Sequence, residues 1–152
     1  MTALAQLSAV LALAAAAAGA TYWIKGPPSR AVPCDAAALP PDEVCLERVL
    51  REWQGQVLWV DARSRAEWER NGMAGALLWN LDENQQAFEA EAAGRMIDGP
   101  RVLVYCSNEN CDTSRQVAEQ IRTLQLSNGV FVLHGGWRAL AAAKLTKDFQ
   151  RQ

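Results

Sequence analysis

Three short apolar segments separated by helix-like segments constrain the fold of this chain more than any other feature. They read QVLWVDAR, RVLVYC and GVFVLHGG, and each closes on polar or glycine-rich sequence. Continuous apolar strands that alternate with helices are typical of a parallel sheet covered by helices on both faces. In such a sheet functional groups gather at the carboxyl ends of the strands, where Asp61, Cys106 and Gly135 fall. The sequence therefore predicts an α/β fold with its site at that edge.

The predicted helices lie between these strands. SRAEWERN follows the first strand, NQQAFEAEAAGRMI precedes the second, and TSRQVAEQIRTLQL follows it. Upstream, LPPDEVCLERVLREW has apolar residues at about helical spacing, which predicts an amphipathic helix that ends near Gly55. A chain of 152 residues has room for one such domain and a short appendage.

The appendage is an uncharged run at residues 4–24, which predicts one apolar N-terminal helix. Its length suffices to cross a membrane. It is either a retained anchor or a cleaved signal peptide, and the second interpretation lacks the usual positive charge near the start. We predict a transmembrane anchor or signal segment at 1–25, a linker at 26–38 and the folded domain at 39–152.

Few residues indicate on which side of the membrane the folded domain lies. Lys25 and Arg30 both follow the apolar run, which favours the cytoplasmic side for the folded domain. Cys34 and Cys45 either form a disulfide in an exported domain or remain unpaired, with Cys45 in the core. The sequence assigns these two cysteines no role.

Charge and composition limit the partners. Fifteen basic residues against seventeen acidic ones give a net charge of -2, without a basic block that would track phosphates. The cysteine spacing and the single histidine do not match a zinc site. We therefore expect no nucleic acid, no metal and no cofactor, and a small molecule as substrate.

Cys106 directly follows a predicted buried strand, and the next helix is predicted to begin at Thr113 or Ser114 as N-cap. A tight loop at 106–113 would aim backbone N–H groups and a helix dipole at its centre, which stabilises a thiolate, a persulfide or an oxyanion. Glu109 and Asp112 oppose this because their carboxylates repel a small anion. Cys106 is therefore either a nucleophile or a buried structural thiol.

Two further residues near this loop have open interpretations. Cys111 is a bystander, a resolving thiol that pairs with Cys106, or the nucleophile itself. His134 ends the last strand and either assists proton transfer or fills a partly exposed strand end.

The order of motifs resembles a single rhodanese domain from about Leu39 to Leu140. VLWVDARSRAEW, NGMAGALLWN, RVLVYCSNENCDTSRQVAEQIRTL and GVFVLHGGWRAL carry the resemblance. It implies a three-layer sandwich with a central, mainly parallel five-stranded sheet, and transfer of sulfane sulfur through a cysteine persulfide. A small sulfur donor and a thiol acceptor would be the partners.

The resemblance also implies roles for individual residues. Cys106 would carry the sulfur, and Asp61 and Arg63 would be structural neighbours. The residues of the surrounding cradle would be Ser107, Asn108, Glu109, Asn110, Cys111, Asp112, Thr113 and Ser114.

This cradle is longer than is usual in the family and lacks the central glycine and the arginine. The family's histidine before its Gly-Ala element is also absent, since the chain reads Asn71-Gly72-Met73. Two alternatives to sulfur transfer therefore stay open: a non-catalytic binding module, and a dithiol redox protein that uses Cys106 and Cys111.

Overall fold

The computed structural model describes residues 6–7, 10–16, 19, 32–81, 92–97, 99–107 and 112–150. The chain divides into two compact units, Met1–Arg30 and Ala31–Gln152. In the first unit, the described residues are helical, and Leu7, Val10, Leu11 and Leu13 are exposed. No helix among the described residues has both the length and the apolar character needed to cross a membrane. Most of the predicted segment at 4–24 lies outside the described residues, and its membrane insertion stays a prediction.

The second unit is built on a five-stranded sheet with the order β1-β5-β4-β2-β3. All four strand pairings are parallel, which confirms the predicted α/β architecture. The strands are β1 (Glu43–Val44), β2 (Val57–Asp61), β3 (Leu77–Leu78), β4 (Arg101–Tyr105) and β5 (Val130–Leu133).

Six described helices accompany the sheet. They are α1 (Leu46–Arg51), α2 (Arg65–Asn71), α3 (92–96), α4 (Asp112–Thr123), α5 (Gly136–Ala142) and α6 (Lys147–Gln150). The start of α2 is fixed by Ser64, whose N–H and hydroxyl both donate to the carboxylate of Glu67 at 3.3 and 2.7 Å. Of the helix predicted over NQQAFEAEAAGRMI, only 92–97 lie among the described residues.

Two apolar clusters cover the two faces of the sheet. One cluster joins alternate strand residues, such as Val60, Val104 and Val132, to Val117 and Ile121 of α4. The other cluster lies on the opposite face, where strand residues pack against helices α1 and α5. Its members include Trp59, Leu103, Tyr105 and Leu133 of the strands, Val49 of α1 and Leu140 of α5. Side chains of successive strand residues point to opposite faces, so β4 is buried on both.

The upstream helix was predicted to include Val44, and this is wrong. Glu43 and Val44 instead form β1, where the carbonyl of Val44 accepts a hydrogen bond of 3.0 Å from the N–H of His134. Helix α1 starts only at Leu46. β1 and β3 contain two residues each, too few for a period to reveal them in the sequence.

The predicted N-caps of the helix after the cysteine loop are also wrong. α4 already includes Asp112, and Ser114 is buried within its first turn. The connection between β4 and α4 is therefore shorter than the eight residues predicted.

Candidate functional site at the carboxyl edge of the sheet

Cys106 lies at the carboxyl end of β4, immediately before the connection to α4, and is 4% exposed. Its carbonyl oxygen accepts a hydrogen bond of 2.6 Å from the backbone N–H of Trp137. Trp137 is in the first turn of α5, where backbone N–H groups have no partner within the helix. The start of α5 thus fixes the backbone at Cys106.

The cysteine is disulfide-bonded in this structure. Its partner is not among the described residues. The second predicted thiol, Cys111, also lies outside the described residues, as do Asn108, Glu109 and Asn110. Ser107 is described and is partly buried beside Cys106.

Asp112 does not add its charge to a cradle in the way the sequence suggested. Its side chain is 84% exposed and contacts Arg115 at 3.4 Å within the first turn of α4. Thr113 and Ser114 follow in the same turn. One of the two carboxylates expected to repel an anion is therefore largely solvated and near a positive charge.

Asp61 and Arg63 form a buried ion pair at the end of β2. The guanidinium donates from Nε and Nη2 to the two carboxylate oxygens at 3.0 and 2.8 Å. The Arg63 N–H donates to the same carboxylate at 3.0 Å. Asp61 is fully buried and Arg63 is 5% exposed. This is the bidentate geometry in which a buried pair is best compensated.

Tyr105, the residue before Cys106, is part of this pair's network. Its hydroxyl donates to Asp61 at 2.7 Å and accepts from the N–H of Met73 at 2.9 Å. Burial raises the pKa of Tyr105 well above its usual value, and the neighbouring carboxylate of Asp61 raises it further. Burial lowers the pKa of Arg63, but the hydrogen bond and charge of Asp61 outweigh this and raise it. The network therefore contains a neutral phenol and a charged guanidinium.

The same network reaches Trp137. Arg63 donates from Nη1 to the side-chain oxygen of Asn71 at 3.1 Å, and the indole N–H of Trp137 donates to the backbone oxygen of Asn71 at 2.9 Å. The guanidinium carbon lies 5.4 Å from the centroid of Trp137 and 5.6 Å from that of Tyr105. The predicted neighbours Asp61 and Arg63 thus belong to one network with Tyr105 and Trp137. Of these, Trp137 contacts the backbone of Cys106. The sequence did not indicate that Asn71 links Arg63 to Trp137.

His134 lies beside a second charged cluster at this edge. Its Nδ1 is 2.8 Å from Oε1 of Glu43, whose other oxygen is 3.2 Å from Nη2 of Arg115. The sequence singled out His134 but not Glu43 or Arg115. Both are polar residues in segments that the sequence predicts to be helical. The contact between them depends on the position of Glu43 in β1.

Cys34 and Cys45 form a disulfide, with Cα atoms 5.8 Å apart. The bond joins the first described residues of the domain to the residue between β1 and α1. It borders a cavity of about 390 Å³ that His134, Leu46, Ala139 and Ala142 also line. Of the two possibilities left open for these cysteines, the structure shows the pairing.

The comparisons with known proteins agree with this fold. The family model of the Rhodanese-like domain matches residues 47–143, more than half of the chain. Among the curated proteins, none matches this chain.

Solved structures share the architecture at low sequence identity. A thiosulfate sulfurtransferase from Pseudomonas aeruginosa has a TM-score of 0.53 and 24% identity, over 75% of this chain and 21% of that protein. A rhodanese-related protein from Thermoplasma volcanium has a TM-score of 0.51 and 16% identity, over 66% of this chain and 91% of that one. A protein from Lactobacillus plantarum has a TM-score of 0.51 and 15% identity, over 68% and 85%. At these identities the likeness shows the fold alone.

Proposed function

The chain belongs to the rhodanese-like domain family, and from this premise we propose that it is a sulfurtransferase in which Cys106 carries sulfane sulfur as a persulfide. The observation that carries the proposal is the position of Cys106. It lies between the end of a central parallel strand and the N-terminus of the 12-residue helix α4. The positive end of the helix dipole stabilises an anionic sulfur placed before it.

The reaction begins with reduction, because Cys106 is disulfide-bonded in this structure. A thiol reductant breaks that bond and leaves a thiolate on Cys106. The thiolate attacks the outer sulfur of a donor such as thiosulfate, and sulfite leaves with the electron pair of the broken sulfur–sulfur bond. A thiol acceptor then attacks the outer sulfur of the persulfide and restores the Cys106 thiolate.

Cys111 provides a second reaction that consumes the persulfide on Cys106. If its thiolate attacks Sγ of the persulfide on Cys106, hydrosulfide leaves and a disulfide forms between the two cysteines. The oxidised pair then needs two electrons from a reductant before the next cycle.

The second candidate function is thiol–disulfide exchange by Cys106 and Cys111 without a sulfane intermediate. The oxidised state of Cys106 favours it. In this reaction the pair takes two electrons from a substrate dithiol, which leaves as a disulfide.

Intact-mass spectrometry of the full-length protein distinguishes the two. After reduction and removal of the reductant, the protein is incubated with thiosulfate, alongside Cys106→Ala and Cys111→Ala. A gain of one sulfur mass in Cys111→Ala, but not in Cys106→Ala, supports sulfur transfer; the wild type then either keeps the sulfur or loses two hydrogens through attack by Cys111. If thiosulfate changes no mass, a small-molecule disulfide is supplied in its place. A loss of two hydrogens in the wild type alone then supports the redox pair, and an unchanged mass in all three proteins supports a non-catalytic binding module.

We also propose that residues 4–24 anchor the protein in a membrane, as their 21 uncharged positions suggest. For the folded domain, the disulfide of Cys34 and Cys45 supports the oxidising side of that membrane. This is the opposite of what Lys25 and Arg30 favour, and we give the disulfide more weight because the charge argument depends on two residues. Alkylation of intact cells without reductant tests it, since a cytoplasmic domain would have reduced cysteines that react.

A further inference from the structure

Cys106 and His134 directly follow two neighbouring strands, β4 and β5. These strands run parallel, with Val104 opposite Val132. Cys106 belongs to the apolar cluster of Val104 and Val132, on the face that α4 covers, and neighbouring strands lie about 4.8 Å apart.

Glu43 of β1 pairs with Val132 of β5, so it lies on that same face. Its carboxylate contacts Nδ1 of His134 at 2.8 Å. An ionised carboxylate only accepts hydrogen bonds, so Nδ1 carries the proton in the neutral ring. The lone pair of the imidazole is then on Nε2.

Charged side chains of β1, α4 and α1 lie around this imidazole. Glu43 has a side chain that is only 6% exposed and is held in place by Arg115 of α4, which also contacts Asp112. Glu47 of α1 borders the same cavity as His134. The buried carboxylate in direct contact orients the ring, as a carboxylate does for a catalytic histidine.

We propose that His134, oriented by Glu43, accepts the proton of the Cys106 thiol. The proposal rests on the role of Cys106 given above. The S–H bond breaks, its electron pair stays on sulfur, and the proton moves to Nε2. When the acceptor removes the sulfane sulfur, the imidazolium returns the proton to the Cys106 thiolate. The side chain of His134 is 22% exposed, so the proton also exchanges with solvent.

The test measures the reactivity of Cys106 without any sulfur donor. In full-length protein carrying Cys111→Ala, the rate of alkylation by iodoacetamide is followed against pH, with thiolate absorbance as a second readout. We expect His134→Gln to lower the rate at pH 7 about tenfold and to raise the pH midpoint by about one unit. Glu43→Gln should shift the profile less and in the same direction, because it removes the negative charge that lies beside the ring.

Arg122→Gln is the matched control. It breaks the contact of 3.1 Å between Arg122 and Asp42, which joins α4 to the start of β1 without involving His134. We expect its profile to match the wild type. A His134→Gln profile that coincides with that of Arg122→Gln would overturn the proposal. If His134→Gln fails to fold by circular dichroism, Glu43→Gln decides by the same comparison.

The outcome is independent of the sulfurtransferase test. A profile that depends on His134 in a protein that never gains sulfur would overturn the proposed transfer and retain the proton acceptor. A protein that gains sulfur, but whose alkylation profile is the same in His134→Gln, would retain the proposed transfer and overturn the proton acceptor.

Discussion

The hydroxyl of Tyr105 donates a hydrogen bond of 2.7 Å to the buried carboxylate of Asp61, across two neighbouring strands. The same oxygen accepts the N–H of Met73. The residue that precedes Cys106 is therefore held by one side chain and one backbone group.

Tyr105→Phe removes both hydrogen bonds and keeps the ring. We expect a loss of about 1–3 kcal/mol in the free energy of unfolding at pH 7, because a buried acceptor and a buried donor lose their partner. Urea denaturation of the wild type and the variant measures the difference. A variant as stable as the wild type would show that water or another group replaces the hydroxyl.

The raised pKa of Tyr105 also predicts a dependence on pH. Below about pH 10 the phenol is neutral in both the folded and the unfolded chain, so its contribution is fully present. Above that pH the unfolded chain ionises first, and stability falls by up to about 1.4 kcal/mol per pH unit. The advantage of the wild type over Tyr105→Phe should therefore shrink between pH 10 and 12, which urea titrations at several pH values measure.

Arg63→Met tests the buried ion pair. Removal of the guanidinium leaves the carboxylate of Asp61 buried without its charge partner, and we expect a loss of about 3–5 kcal/mol. Arg48→Met is the control, since its pair with Glu52 is more than half exposed at both side chains; it should cost about 0.5 kcal/mol or less. Equal losses in the two variants would contradict the role given to Arg63.

The disulfide between Cys34 and Cys45 closes a loop with a sequence separation of 11. Replacement of both cysteines by alanine should lower the free energy of unfolding by about 3 kcal/mol, since the unfolded chain regains the entropy of the open loop. Thermal unfolding with and without reductant provides the control. The difference between wild type and variant should vanish once the disulfide is reduced.

Gly135 precedes α5 with a φ of 75°, and a Cβ there would lie 2.7 Å from Cγ1 of Val32. Gly55 has a similar φ of 69° with open space around it. Gly55→Ala should cost about 1–2 kcal/mol from backbone strain alone. Gly135→Ala should cost more, because it adds the clash. Chemical denaturation compares them, and equal costs would mean that Val32 moves aside freely.

The sequence predicted the three long strands and the helix at Arg65–Asn71 because each has a clear period or cap. It could not predict β1, since Glu43 and Val44 become a strand only by pairing with β5. The resemblance named Asp61 and Arg63 as structural neighbours but did not predict their ion pair. The link through Asn71 to Trp137 depends on tertiary contacts between distant segments. The cluster of Glu43, His134 and Arg115 was missed for the same reason.

The bond between Cys34 and Cys45 also has a mechanical consequence. A pull on the chain ahead of residue 34 travels through a covalent bond to Cys45, directly after β1. The ten residues between the two cysteines carry none of that load and cannot be drawn out one by one. Force applied from the N-terminal side therefore bypasses the edge strand β1, which lies within those ten residues, and acts directly on the start of α1 until the disulfide is reduced.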